Sequence, residues 1–351
     1  MDVMIRSGNA SPTLAVVARE AGVSVPTASK VANGREGVAP ETRRRVAQVM
    51  RRLGYARRPP SAARRSAPLV ELVADRLDGP WSGAVLRGVE QAAQRAGVGL
   101  LVSAAPTGDG LGSARHEWFH LLRGRGPSGV LFSVDALPTA AHDRLVGHGV
   151  PFVLIGPALD PPPDAPSVVA ADRLGGADAA RHLLGLGHRR LAVIDGGARP
   201  RRDGARVAGF RSAVEAAGLA LPLAYVRHAR GDATLARRGA AELLAMAEPP
   251  TALFVCSDAA CSDAMALGVC AELAGRGVRV PEDVSVVGFG DLSPAPWSFP
   301  RLTTVRQPVT EMAARALHLL LRLIDGGPAP DAPTEVPTCL VVRDSTAPPA
   351  G

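Results

Sequence analysis

From Leu69 onward the chain repeats one pattern: a short run of Val, Leu and Ile, then an amphipathic stretch of helical length. Strand, helix and strand in succession close most readily as a parallel sheet with helices on both faces, so this alternation constrains the fold more than any other feature. The spacing predicts strands over Leu69–Ala74, Gly99–Ser103, Gly129–Ser133, Phe152–Ile155, Leu191–Asp195, Ala252–Cys256 and Val284–Phe289. It predicts helices over Gly83–Ala96, Ser113–Arg123, Leu174–Leu186, Ala205–Ala217, Leu235–Met246, Asp263–Ala274 and Val309–Ile324. Roughly 280 residues exceed what one small open sheet accommodates, which implies two doubly wound parallel-sheet lobes with a cleft. Ligands in such α/β folds sit beyond the carboxyl ends of strands, here pointing to Asp75, Trp81, Gly156, Ser257, Asp258, Gly290 and Asp291.

A different grammar precedes the alternation. Thr13 to Asn33 reads TLAVVAREAGVSVPTASKVAN. Leu14, Val17, Ala18, Ala21 and Val23 recur at helical spacing and define a small apolar face. Gly22 is placed to end the first helix in a left-handed conformation. Ser24 is placed as an N-cap, with Pro26 in the first turn of a second helix over Val25 to Ala32. Helix, tight glycine turn, helix is the helix-turn-helix pattern, and it would present Val25, Pro26 and Lys30 to a DNA groove. An ordinary helical hairpin buried in a core is the bland alternative. Against it stands charge: the first 66 residues hold 13 Lys or Arg and 4 Asp or Glu, a net +9, while the whole chain is +7. The other 285 residues therefore sum to −2. A basic head on a near-neutral body suits phosphate-backbone binding.

Pro40 opens a third helix, PETRRRVAQVMRRLGY, whose Val46, Val49, Met50 and Leu53 would form a lid over the first two. Residues 56–67, ARRPPSAARRSA, read as a linker rich in Pro, Arg and Ala. The expected domains are a helix-turn-helix head at 1–55, a linker at 56–67 and a two-lobed core at 68–351. No apolar run reaches the roughly 18 residues of a membrane span, and MDVMIRSGNASP lacks a signal core, so a cytoplasmic location with no membrane partner is expected. Cys256, Cys261, Cys270 and Cys339 show no paired metal-ligand spacing and read as reduced, small apolar residues.

Along essentially its whole length the sequence resembles the lactose repressor family of bacterial transcription regulators. AGVSVPTASKVANG followed by VAPETRRRVAQVMRRLGY resembles the family's DNA-binding head. DRLGGADAARHLLGLGHRRLAVIDGG, RVAGFRSAVEAAGL, PEDVSVVGFGD and PRLTTVRQPVTEM resemble, in order, four landmarks of its regulatory core. The resemblance implies a homodimeric, sequence-specific repressor that binds a roughly palindromic double-stranded operator and needs no cofactor. It also implies that 56–67 is a hinge and that 68–351 is an effector-binding and dimerisation core like the periplasmic binding proteins, with three crossings between lobes and a small effector, usually a sugar, between them. Lobe one then takes about 68–168 plus 306–330, and lobe two about 169–305 plus 331–347.

The same resemblance assigns residues. Val25, Pro26 and Lys30 take the base-contacting places, with Lys30 able to donate to a guanine edge. Thr13, Ser24, Thr27, Ser29 and Asn33 take phosphate-contacting places, which fix register without reading sequence. Ser24 serves equally as a helix cap. The family's hinge helix wedges a leucine into the minor groove, whereas here that place falls on Arg64 or Ser66. An arginine can still enter a narrow minor groove electrostatically. In the core, Arg206 matches the arginine that grips sugar hydroxyls. Two acids usual in the family fall on Gly156 and Gly290, with Asp291 next to the second. Asp75 and Trp81 are placed to compensate, and Trp81 reads equally as a stacking face or a core residue. A tandem repeat, CSDAA then CSDAM over 256–265, offers two Ser-Asp pairs. Ser257 and Asp258 are expected to face the cleft, and Ser262 and Asp263 to cap the next helix.

One enzyme signal stands apart. His116-Glu117-Trp118-Phe119-His120 is a literal HExxH, the spacing of a zinc metallohydrolase. No third ligand accompanies it, and two polar-face histidines account for it better. A stand-alone sugar-binding or transport module is the other alternative, opposed by the basic head. No catalytic site and no metal site is expected.

Lys30→Ala should lower specific binding about 10- to 100-fold and relax sequence preference. Arg43→Ala should weaken binding to all DNA alike and reduce its salt dependence by about one counterion. Anisotropy titrations on specific and random duplexes over a salt series separate the two. Equal effects of Lys30→Ala on both duplexes would refute the assignment.

Overall fold

Helices of fewer than about a dozen residues are marginal alone and draw stability from a shared core. Such helices are α1 (Leu14–Glu20) and α2 (Val25–Ala32), which with α3 (Pro40–Arg52) make the first compact unit. The computed structural model describes residues 14–32, 38–53, 68–105, 115–157, 161–197, 201–257 and 262–350. Val17, Ala18 and Ala21 of α1, Ala28 of α2, and Val46 and Val49 of α3 form the buried centre, with Leu14, Val23, Val31, Met50 and Leu53 packed around it. Gly22 takes φ +62°, and the Val23 N–H returns to the Ala18 carbonyl at 3.0 Å, closing α1. The Ser24 hydroxyl accepts the Thr27 N–H at 3.3 Å and caps α2.

The second unit, Ala67–Gly351, holds two six-stranded sheets. The chain runs β1 (Leu69–Ala74), α4 (Pro80–Ala96), β2 (Gly99–Ala104), α5 (Arg115–Arg125), β3 (Gly129–Ser133), α6 (Thr139–Gly147), β4 (Phe152–Ile155) and β5 (Ser167–Ala170). It continues through α7 (Asp172–Gly185), β6 (Leu191–Asp195), α8 (Arg201–Ala216), β7 (Val226–His228), α9 (Ala233–Leu244), β8 (Ala252–Val255), α10 (Ser262–Gly275), β9 (Ser285–Gly290) and β10 (Thr303–Arg306). Last come α11 (Val309–Ile324), β11 (Thr334–Val336) and β12 (Cys339–Val341). The sheet orders are β11-β5-β4-β3-β1-β2 and β12-β10-β9-β8-β6-β7. Every pairing is parallel except β12 on β10. Sheet residues alternate faces, so each sheet feeds two cores. Val70, Leu72 and Leu131 meet α4 and α11, while Val73, Val130 and Phe132 meet α5 and α6. In the second sheet Val193, Phe254 and Val287 meet α7 and α8, and Ile194, Leu253 and Val286 meet α9 and α10.

The chain passes between lobes after β5, after β10 and after β11. The first two crossings leave carboxyl ends of strands, so the carboxyl edges of the two sheets face one another across the cleft. The last crossing differs from expectation. The resemblance gives residues 331–347 as a whole to lobe two, but β11 pairs with β5, Val336 against Ala170, so the chain crosses only at Pro337–Thr338. With β4 on its other side, β5 offers an open ladder, and Thr334–Val336 fill it with Val336 fully buried. β5, β7, β10, β11 and β12 are three or four residues long and, unlike FVLI of β4 and ALFV of β8, form no unbroken apolar run of four, so pairing against an existing strand defines them. The helix α6 likewise has no counterpart among the expected elements.

Two glycines set an unusually close helix approach. A β-carbon on Gly176 of α7 would lie 2.0 Å from the Arg206 carbonyl oxygen, and one on Gly209 of α8 would lie 1.9 Å from that of Arg173. No real Cβ survives such distances, so the helices touch backbone to backbone. Gly176→Ala and Gly209→Ala should each cost about 3 kcal/mol or more, by overpacking that only backbone movement can relieve. Gly185→Ala, in open space at the end of α7, should change stability by less than about 1 kcal/mol. Urea unfolding midpoints measure all three, and similar values for Gly176→Ala and Gly185→Ala would refute the packing account.

Candidate effector cleft and DNA-reading head

In the head, Ala28 turns inward, and Ser24, Val25, Pro26 and Lys30 are exposed. Thr27 and Ser29 are half-buried. Pro26 and Lys30 are one helical turn apart, as are Val25 and Ser29, so α2 offers one contiguous face. Thr13, Asn33 and Arg64 lie outside the described residues, as does the whole hinge at 56–67.

In the core, the predicted residues gather on the two facing edges. On the first, Asp75 follows β1 and accepts the Asp135 N–H at 2.6 Å. Burial pushes its carboxyl above the usual range, partly offset by that hydrogen bond. Trp81, at the start of α4, donates its Nε1–H to the Ser133 hydroxyl at 3.2 Å and packs partly against the sheet core. Asp75, Ser133 and Asp135 thus bring the ends of β1 and β3 together with the first turn of α4.

On the second edge, Arg206 is only 1% exposed. Its Nε donates to Asp172 Oδ1 at 3.0 Å, a second nitrogen donates to the Ser257 carbonyl, and the guanidinium lies 4.1 Å over the Phe289 ring. The glycine contact between α7 and α8 is what lets a side chain from α8 reach the first turn of α7. Ser257 is buried, and its N–H donates to the Ser262 hydroxyl at 2.6 Å. That hydroxyl donates back to the Ser257 carbonyl at 2.9 Å. The two copies of the repeat are therefore stitched together, with Ser262 opening α10; Asp258 lies outside the described residues.

Asp263 does more than cap its helix. Its carboxylate accepts the Thr304 hydroxyl at 2.7 Å and the Leu292 N–H at 3.0 Å, tying α10 to β10 and to the loop after β9. Gly290 takes φ +131°, and a β-carbon there would lie 3.1 Å from Asp263 Oδ2. An acid at that position would be strained by the backbone conformation and would need the Asp263 side chain to give way. Asp291, next to it, accepts from Arg306 at 2.7 Å and from Arg343 at 2.6 Å, so its carboxylate is spent on two guanidiniums. Sequence reasoning misses Asp172, Gln307 and Arg343, and it takes Asp263 for a helix cap alone. Asp172 and Gln307 do lie inside DRLGG and TTVRQPV, which is the signal that could have found them. A cavity of about 600 Å³ lies where α4 meets the segment after β9 and the second crossing, lined among others by Arg87, Asp291, Arg306 and Gln307. Among the described residues, Asp291 alone of those predicted borders it.

Residues 13–58 match the profile of bacterial regulatory proteins of the lacI family, and residues 180–346 match the periplasmic binding protein-like domain. The chain is 36% identical over 342 residues to the HTH-type transcriptional regulator reg1 of Streptomyces lividans, covering 95% of this chain and 96% of that one. It belongs to the LacI family. Membership makes the chain a DNA-binding, HTH-type transcriptional regulator rather than an enzyme, with a periplasmic-binding-protein-like core. A solved CelR–cellobiose complex superposes with a TM-score of 0.68 at 30% identity, covering 95% of this chain and 99% of that one. The lac repressor dimer bound to operator and the anti-inducer ONPF shares the fold, at 24% identity and a TM-score of 0.66. The HExxH stretch enters α5, where His120 is exposed, and the side chains of His116 and Glu117 lie outside the described residues. Among the described residues no three His, Cys, Asp or Glu side chains gather as metal ligands, and no helix is long and apolar enough to cross a membrane.

Burial raises the Asp263 pKa from 3.8 to about 7. Between those values the folded protein holds a proton that the unfolded chain releases, so this contribution to stability is full in acid and declines as pH rises towards 7. Asp263→Asn should remove that decline, worth at most about 1.4 kcal/mol per pH unit. His182 and His188, whose pKa values burial lowers, act in the opposite sense in both proteins, so the difference isolates Asp263. Urea titrations from pH 4 to 7 measure it, and parallel curves for wild type and Asp263→Asn would contradict the assignment.

Proposed function

We propose that this LacI-family regulator is a homodimeric repressor acting in the cytoplasm, whose hold on a roughly two-fold symmetric operator changes when a saccharide occupies the cleft. The observation that carries the DNA half is the exposed face of α2, with Val25, Pro26 and Lys30 bare on a helix whose other side is core. Lys30 reads a base edge, and Val25 and Pro26 make apolar contact with thymine methyls. Thr13, Ser24, Thr27, Ser29 and Asn33 hold phosphates, and Arg64 of the hinge at 56–67 enters the minor groove.

The effector half rests on the facing carboxyl edges and on the likeness to the cellobiose-bound CelR. Asp75, Trp81, Arg206, Ser257 and Asp258 contact the sugar. Asp291 acts by fixing Arg306 and Arg343 at the rim. Self-association is supported by an apolar groove of about 980 Å³ lined by Leu267, Cys270 and Ala271 of α10 together with fully exposed Phe299, with Trp297 also exposed nearby. Apolar surface of this kind is characteristic of protein contacts.

Binding control requires the saccharide to prefer one lobe arrangement, a coupling of about 1–3 kcal/mol, or roughly 5- to 150-fold in operator affinity. In anisotropy titrations the protein should bind DNA from its own promoter region about 1,000-fold or more tighter than random DNA. Sedimentation of that complex should show two chains per site. Addition of mono- and disaccharides should then shift the operator affinity within the stated range. Equal affinity for promoter and random duplexes would remove the regulatory reading of this head.

A further inference from the structure

The carboxyl edge of the second sheet carries one more polar pair, outside the groups described above. Asp195 ends β6 and is 6% exposed. His228 ends β7 directly opposite it in the ladder. Its Nδ1 lies 2.5 Å from Asp195 Oδ1, and the same oxygen accepts the Gly197 N–H at 2.9 Å. The Ala229 N–H donates to the Asp195 carbonyl at 2.7 Å. Gly197 takes φ +94°, and a β-carbon there would sit 3.4 Å from the His228 Cβ, so the turn presses close beside the ring. The imidazole is therefore held at Nδ1 with the Gly197 turn beside it, yet its side chain is 58% exposed.

The hydrogen bond fixes the chemistry of the exposed nitrogen. With Nδ1–H donated to a carboxylate, a neutral ring carries its lone pair on Nε2. Among the described residues nothing bonds to Nε2. A fixed acceptor of this kind suits a hydroxyl donor and offers nothing to a deprotonated acid. Across the sheet the carboxyl ends run from Asp291 after β9, to Ser257 after β8, to Asp195, to His228. Neighbouring strands are about 4.8 Å apart, so His228 lies about 10 Å along the edge from Ser257 and the Arg206 guanidinium beside it. A single pyranose held at Arg206 stops short of that distance, and the next ring of a disaccharide reaches it.

We propose that His228, positioned by Asp195, accepts a hydroxyl of the second ring of an oligosaccharide effector and forms an outer subsite that selects for length. This rests on the saccharide reading given above. Calorimetric titration of the full chain with glucose, galactose, cellobiose, maltose, lactose and cellotriose tests it. The tightest disaccharide should lose about tenfold in affinity to His228→Ala, the worth of one neutral hydrogen bond, while the matching monosaccharide changes by less than about twofold. Asp195→Asn should give a smaller loss for the same disaccharide, because the amide lets the ring turn its tautomer over. Since Asp195 is buried, its variant is read only after its melting curve matches wild type, and His228→Ala, at an exposed position, carries the test alone if it does not. Disaccharide binding unchanged in His228→Ala overturns the outer subsite and leaves the saccharide reading standing. Equal losses for mono- and disaccharide also overturn it. Failure of every sugar to bind the wild-type protein overturns both.

Discussion

One carboxylate oxygen holds the two-lobed core together at its centre. Asp172 Oδ1 accepts from Arg206 at 3.0 Å and from Gln307 at 3.3 Å. Asp172 begins α7 just after the first crossing, and Gln307 lies in the second, so one oxygen joins both passages between lobes to α8. Arg206 in turn reaches the Ser257 carbonyl after β8 and covers Phe289 of β9. A buried ion pair adds little stability over an apolar replacement, but losing one partner strands a charge at a cost of about 3–5 kcal/mol. Its value here is geometric: it fixes where the ends of α7, α8 and β8 stand relative to the crossings. The glycine contact between α7 and α8 is a precondition, because any side chain at Gly176 or Gly209 would push Arg206 away from Asp172.

A second carboxylate cluster organises the rim of the same edge. Asp263 ties α10 to β10 and to the loop after β9, and Asp291 binds Arg306 of β10 and Arg343 of the tail. The two acids are close neighbours with opposite fates: one sits among neutral donors and is pushed towards its protonated form, while the other is matched by two cations. Gly288 and Gly290 leave the space this needs, since a β-carbon on Gly288 would lie 2.6 Å from Asp263 Oδ1. The missing acid at Gly290 is thus part of a rearrangement in which Asp263 occupies the room. Any ligand contact at this rim comes from groups other than a carboxylate at position 290.

Much of this architecture is legible in the order of residues alone. The head can be placed to the residue because its signals are local: Gly22 for the turn, Ser24 for the cap, Val17, Ala18 and Ala28 for the core. Long strands and helices declare themselves by period. β5, β7, β10, β11 and β12 do not, because they are short and lack the unbroken apolar run that marks the equally short β4 and β8. The candidate site residues divide the same way. Arg206 and Ser257 stand out within motifs at strand and helix ends. Asp263 looks like a helix cap, and its bonds to Thr304 and Leu292 depend on elements about 30 to 40 residues later.

By itself, the sequence determined the architecture, the family and the exposed face of α2, because apolar period, glycine turns and charge distribution act over a few residues. The tertiary structure decided which polar groups meet: Asp172 with Arg206 and Gln307, Asp263 with Thr304, Asp291 with Arg306 and Arg343, Asp195 with His228. It also moved the last crossing to Pro337–Thr338. These pairings join residues brought together by sheet order and helix packing, and a linear pattern has no means of expressing a distance across a fold.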